Sequence, residues 1–135
     1  MSTSSTLRTP LNDYIELDEG YFAIYESAEP DLALVMQLSA TLPGAHVVIP
    51  SRRTCPDCLR NIPHMARIAE HLPGWTWEIY ASSDNPERNA ILKVRAVPTF
   101  VVFDHEGGRE LGRIVENPAS GSLEQDLLDI ALAAK

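Results

Sequence analysis

The sequence predicts a single α/β domain, and three observations carry that prediction. From residue 45 onward, apolar stretches of strand length alternate with segments of helical period, in the order strand, helix, strand, helix, strand, strand, helix. Proline and glycine punctuate the boundaries at Pro43-Gly44 and Pro73-Gly74. A chain of 135 residues with 44% hydrophobic content suits one core and calls for no second.

Residues 1–10 are small, polar and without periodicity, which predicts a disordered tail with no assigned function. Residues 11–44 then form an N-terminal extension that ends in the first helix. Within it, residues 21–25 read as a short strand after an Asp18-Glu19-Gly20 turn. Residues 29–42 read as a helix, with Leu32, Val35, Met36 and Leu38 on its apolar face, Pro30 in its first turn and Pro43-Gly44 as its stop. The core proper is predicted over 45–135.

Residues 45–49 are a continuous apolar run of the kind found in a sheet covered on both faces, and His46 within it is expected as a packed or hydrogen-bonded core residue. The next helix follows Cys58, with Ile62, Met65, Ala66, Ala69 and Leu72 on one face, interrupted by Pro63, which predicts a kink. Residues 75–81 read as a strand with Trp75 and Trp77 on one core-facing side. Asp84-Asn85-Pro86 opens a short helix to about residue 93. Strands at 99–103 and 110–115 are joined by a turn over 104–108. Ser122 with Gln125 resembles a capping box for a closing helix that places Leu123, Leu127, Ile130, Ala131 and Ala134 on one face. His71 and His105 fall at surface positions.

Composition removes several function classes. A formal charge of −8 argues against nucleic acid or an anionic membrane as partner, since both require a basic face. Residues 1–17 contain no apolar stretch of the secretory type, and no apolar run approaches ~18 residues. Cytoplasm is therefore the expected compartment, and there two closely spaced cysteines read as redox or metal chemistry rather than a structural staple.

The chemistry concentrates in Cys55-Pro56-Asp57-Cys58, together with a proline in an apolar strand at Val97-Pro98-Thr99. Two residues between cysteines at a helix start put them about one turn apart, near the roughly 5.5 Å Cα separation an unstrained disulfide prefers. Pro56 suits the first helical position and leaves Cys55 at the cap. There the unpaired N–H groups and the helix dipole favour a thiolate, which makes Cys55 the expected nucleophile and Cys58 the resolving thiol. Arg52, Arg53 and Arg60 lie close by in sequence, with His64 further along the helix. Their charge would favour the Cys55 thiolate and attract an anionic partner, and Arg53 is assigned with Pro56 and Asp57 to tuning the pair. Asp57 pushes the other way as a neighbouring carboxylate. The competing readings are two buried apolar thiols and a zinc site. The motif supplies two of four zinc ligands, and no second pair follows, so no metal site is assigned.

The element order, the Cys-Pro-Asp-Cys motif after the first core strand and Val97-Pro98-Thr99 together resemble the thioredoxin-like superfamily over about residues 45–134. Pro63, Asp84-Asn85-Pro86 and Pro98 fall at matching separations. The segments 55–63 and 112–118 are similar to a bacterial group within it. The resemblance implies a thioredoxin-like fold: a central mixed β-sheet flanked by helices, here carrying an N-terminal extension. It also implies a cis Pro98 that sets the Val97 backbone beside Cys55, with Val97, Pro98 and Thr54 as substrate contacts. This chain departs from the pattern at Thr54 (usually Trp), Pro56-Asp57 (usually Gly-Pro), Ile49 (a buried Asp) and Ile79 (a buried Lys). Glu116 stands where a groove-lining Gly is usual. Without the buried acid, water, Asp57 or another group must take the proton of the resolving thiol.

The activity so implied is thiol–disulfide exchange through Cys55 and Cys58, with no bound organic cofactor. Its substrate would be a disulfide-containing protein or small thiol compound, and its electrons would come from a reductase or glutathione. The alternative is a redox-sensitive binding or adaptor module of the same fold with little turnover.

Overall fold

The strand that leads to the cysteines is the centre of the molecule. In the computed structural model, which describes residues 7–135, β1 (Ala45–Ser51) is buried along its whole length. It pairs in parallel with β2 (Trp75–Ala81) and antiparallel with β3 (Thr99–Phe103). The latter pairs antiparallel with β4 (Glu110–Val115), giving the order β2-β1-β3-β4. A mixed sheet follows from the connections: a helix carries the chain from β1 back to a parallel β2, whereas the short 104–109 turn makes β3 and β4 a hairpin. The strand limits at 75–81, 99–103 and 110–115 are those read from the sequence.

Six helices flank the sheet among the described residues. Three precede β1: α1 (Pro10–Glu16), α2 (Glu19–Ser27) and α3 (Leu32–Thr41). They are followed by α4 (Pro56–Ala69), α5 (Pro86–Leu92) and α6 (Leu123–Ala133). Helix α4 packs against α1 and α2, and α6 packs against α3 and β4. Along β1 the faces alternate. Val47 and Ile49 belong to the main core with Ile62, Met65 and Phe100, while His46 and Val48 face α5. His46 is buried and shares a 2.6 Å hydrogen bond between its Nδ1 and Thr76 Oγ1, as expected of a satisfied core histidine. Trp75 and Trp77 stack on one side of β2 at 5.8 Å, and Trp75 Nε1 donates to the Leu42 carbonyl.

The N-terminal segment departs from expectation in three places. Residues 21–25 are helix, not strand. The Asp18 side chain accepts from the N–H groups of Gly20 and Tyr21 and starts α2, and an aromatic run this short satisfies either period until its neighbours are known. Tyr21 and Tyr25, four residues apart, then share the face turned to α4. The helix predicted over 29–42 begins later, because Asp31 caps it by accepting from Leu34 N–H. Its apolar face is only partly used: Val35 and Leu38 are buried, Leu32 and Met36 exposed. Finally, the tail predicted over 1–10 lies outside the described residues for 1–6 and is structured beyond them. Leu7 N–H donates to the Glu70 carbonyl, and Thr9 caps α1 reciprocally with Asn12. The capping box does not show in the sequence pattern because its third position is Asn rather than Glu or Gln.

Candidate functional site

After β1 the chain leaves the sheet at Ser51, turns through Arg52-Arg53-Thr54 and enters α4. Cys55 is the N-cap, in extended conformation, and Pro56 occupies the first helical position. The Cys55 thiol makes no capping hydrogen bond, so it is free to face outward. It is half-buried, and its Sγ donates to the Val97 carbonyl at 3.4 Å. The Val97-Pro98 peptide is cis, as the resemblance implied. Among the described residues the Val97 N–H meets no acceptor. A carbonyl beside the sulfur and an open N–H on the same residue are what an added extended segment needs for pairing.

Cys58 lies one turn further on and is fully buried. Its Sγ accepts from Arg52 N–H at 3.4 Å. Burial pushes its thiol up to about 12, and the adjacent Cys55 adds to the rise, which the Arg52 N–H only partly offsets. The two sulfurs thus have opposite settings, one outward and reachable, one protonated and enclosed.

Asp57 faces away from the pair. It accepts from Arg60 at 2.6 Å and from Asn117 Nδ2 at 3.3 Å, and these two donors hold its carboxyl below the usual carboxylate range. A carboxylate so stabilised is a weak base, so Asp57 fits poorly as acceptor of the Cys58 proton. The three arginines do not gather at the sulfurs. Arg53 lies over the Tyr14 ring at 3.8 Å, within 5.1 Å of the Tyr21 ring, and donates to the Tyr14 carbonyl. Arg60 is held by Asp57 and Asn117. The Arg52 side chain and Thr54 are exposed.

Several residues that position the site carried no signal in the sequence. Asn61 is buried on α4 and donates through Nδ2 to the carbonyls of Asp57 and Glu116 and to Asn117 Oδ1. Glu116 N–H in turn donates to the Pro98 carbonyl at 2.7 Å. This chain of bonds ties α4 to the loop beyond β4 and that loop to Pro98. Glu116 holds φ +63°, a left-handed conformation suited to glycine, at the position where glycine is usual. Tyr21 donates to the Arg53 carbonyl and packs edge-on against Tyr14, so the N-terminal extension closes the far side of the 52–54 turn. Its Arg53 partner lies 32 residues away, too far for local spacing to reveal. The sheet side of Cys58 offers no ionisable group where the family pattern has two: Ile49 and Ile79 are register partners across β1 and β2. Among the described residues no three metal-type side chains come together.

A sequence-family profile described as thioredoxin matches residues 5–124 of this chain. No curated protein matches it. Solved structures do. Mitochondrial thioredoxin 3 of Saccharomyces cerevisiae, in its oxidised form, is 22% identical over 78% of this chain and 98% of its own, with a TM-score of 0.53. A protein of unknown function from Pseudomonas aeruginosa is 18% identical over 92% and 83%, with a TM-score of 0.63. An HIV epitope scaffold is 18% identical over 95% and 93%, with a TM-score of 0.71. At these identities the likeness is one of fold.

Proposed function

Because this chain belongs to the thioredoxin family, we propose that it is a thiol–disulfide oxidoreductase whose working groups are Cys55 and Cys58. The observation that carries the reading is the placement of the Cys55 sulfur at a helix N-terminus against the Val97 carbonyl, with Cys58 buried one turn behind. In the first step the Cys55 thiolate attacks a substrate disulfide R–S–S–R′, forming Cys55–S–S–R and releasing R′–S⁻. In the second, Cys58 loses its proton and its thiolate attacks the Cys55 sulfur. The Cys55–Cys58 disulfide forms and R–S⁻ departs. Two electrons have passed to the substrate, and a dithiol reductase or a small thiol such as glutathione returns them. Thr54, Val97 and Pro98 contact the substrate, and the Val97 N–H and carbonyl pair with the chain around its disulfide. No organic cofactor takes part, and the expected setting is the reducing cytoplasm.

Replacing Cys58 with Ser stops the second step. The variant is expected to accumulate mixed disulfides through Cys55, visible as reducible adducts by mass, whereas Cys55→Ser forms none. Wild-type turnover without any adduct on Cys58→Ser overturns the assignment of roles.

A second reading has its own support. The Cys58 thiol pushed up to about 12 and the weak basicity of Asp57 leave the resolving step without an efficient proton acceptor. In that reading the dithiol is a redox switch on a binding module. Slow insulin-disulfide reduction with oxidation-dependent partner binding supports it, and multiple turnover with a physiological reductant overturns it.

A further inference from the structure

A cleft of about 310 Å³ opens against Val97, the residue that meets the Cys55 thiol. Val97 is shared: its carbonyl receives the Cys55 thiol, and the residue also lines the cleft. Arg52, three residues before Cys55, and Arg95, two residues before Val97, both line the cleft. Ser82, Ser83 and Asn89 supply the polar part of the wall, and no acidic residue lines it.

The two arginines differ from most of the other cations in how they are used. The chain is acidic, with nineteen carboxylates to eleven lysines and arginines. Arg8, Arg60, Arg67, Arg88 and Arg113 each pair with an Asp or Glu, and Arg53 is sunk between two tyrosines. Among the described residues, Arg52 and Arg95 have no carboxylate partner; Lys93, Arg109 and Lys135 form no side-chain ion pair either, but of these five cations Arg52 and Arg95 are the two that line the cleft, and both are exposed. Beyond Pro98 the exposed Glu116 borders the site, with the half-buried Asp57 nearby and paired with Arg60. The cleft on the Val97 side of the sulfur is therefore positive, whereas the opposite side of the site carries the Glu116 carboxylate.

We propose that the Arg52–Arg95 cleft receives the carboxylate end of the substrate, so that this protein acts on disulfides whose sulfur lies close to a negative charge. The proposal rests on the dithiol reading and adds a substrate class to it. An anion seated between the guanidiniums places its disulfide over Cys55, and the Glu116 side disfavours the reversed orientation. In the first exchange step the Cys55 thiolate attacks the bound disulfide, the S–S bond breaks, and the departing thiolate carries away its electron pair.

The test compares three small disulfides in single-turnover reaction with the reduced protein: dianionic 5,5′-dithiobis(2-nitrobenzoate), neutral 4,4′-dithiodipyridine and dicationic cystamine. Each rate is divided by that of a simple thiol with the same probe, to remove intrinsic reactivity. The ratio of dianion to neutral rate isolates charge recognition, because any change in Cys55 reactivity acts on all three probes alike. Two exposed guanidinium contacts predict that this ratio falls about tenfold in Arg52→Gln/Arg95→Gln and recovers in the Arg→Lys pair. In wild type the ratio should also fall as salt is raised. An unchanged ratio in the Gln pair, or a wild-type ratio insensitive to salt, overturns the proposal while leaving the dithiol chemistry standing. A wild type that reacts with none of the three ends both.

Discussion

The buried thiol makes a quantitative claim about reactivity. With its pKa pushed up to about 12 by burial, Cys58 at pH 7.5 is ionised to only ~3 parts in 10⁵, against roughly 9% for an ordinary thiol of pKa about 8.5. Alkylation consumes thiolate, so folding should protect Cys58 by about three thousandfold. The perturbation that isolates it is Cys55→Ser, which also removes the smaller contribution Cys55 makes to the shift and leaves the dominant one, burial. Iodoacetamide labelling is followed by intact mass, natively and in denaturant at the same pH. The expected native rate is about three orders of magnitude below the unfolded one, rising roughly tenfold per pH unit where the unfolded rate has already levelled off. The slope separates a raised pKa from simple enclosure, because a rate limited by opening of the fold is independent of pH over the range where stability is constant. A native rate within tenfold of the unfolded rate refutes the reasoning. The sign of the linked stability agrees. A thiol raised on folding contributes stability below its unfolded pKa, and that stability is lost as pH climbs from about 8.5 toward 12.

Three other regions give sharp expectations. Burial alone would raise the Glu124 carboxyl, but His64 Nε2 at 2.9 Å and Asp31 N–H at 2.7 Å outweigh it and hold the group at about 2. Its stabilisation is present above the unfolded value of about 4.3 and is lost as pH falls toward 2, so urea midpoints should drop across that window by an equivalent of up to ~3 kcal/mol. Glu124→Gln should flatten the drop, and an unaltered pH profile would rule the pairing out. Lys93 ends α5 at φ +57°, a left-handed cap, so Lys93→Gly should raise stability by about 1 kcal/mol in thermal unfolding, whereas a lower Tm contradicts the strain argument. Asn61→Ala removes three hydrogen bonds, two of which join α4 to the 116–117 loop, and a loss of about 2 kcal/mol with faster amide exchange at Glu116 is expected. Unchanged exchange there would show that the loop is held by other contacts.

What could be read in advance divides along a physical line. From Ala45 onward the strands and α-helices announce themselves locally, because strands such as 99–103 are continuous apolar runs and the helices begin at Pro56, at Pro86 or after the Ser122 cap. The dithiol motif is local too, and its spacing with Pro56 at the first helical position placed Cys55 at the cap and Cys58 one turn on. In the extension the information is not local. Whether 21–25 is helix or strand is decided by Asp18 before it and by the α4 face that Tyr21 and Tyr25 meet. The same holds for Arg53. Its proximity to Cys55 in sequence suggested an electrostatic role, but Tyr14 and Tyr21 from two other helices surround its guanidinium. The bond from Asn61 to the Glu116 carbonyl spans 55 residues, and no periodicity encodes a contact of that separation.

The proton on Cys58 decides between the two functional readings. In the proposed cycle that proton must leave before the mixed disulfide is resolved, and the groups that border the site offer it little. Ile49 and Ile79 face one another beneath the helix, and Asp57 is held by Arg60. The thiolate released from the substrate in the first step is a base, yet with a pKa near 8.5 it lies about 3.5 units below Cys58, so at most ~1 encounter in 3,000 leaves the proton transferred. Formation of the mixed disulfide itself helps, because Cys55 no longer stands beside Cys58 as a thiol, and its share of the upward shift disappears while the Arg52 N–H remains to stabilise the developing thiolate. Burial, the larger part, does not disappear. Resolution is then the slow step, and it quickens with pH, whereas attack by the outward Cys55 is not limited in this way. A dithiol arranged so captures disulfides faster than it releases them. The lifetime of the mixed disulfide relative to the supply of reductant therefore determines whether the chain works as a reductase or holds its partners as a switch.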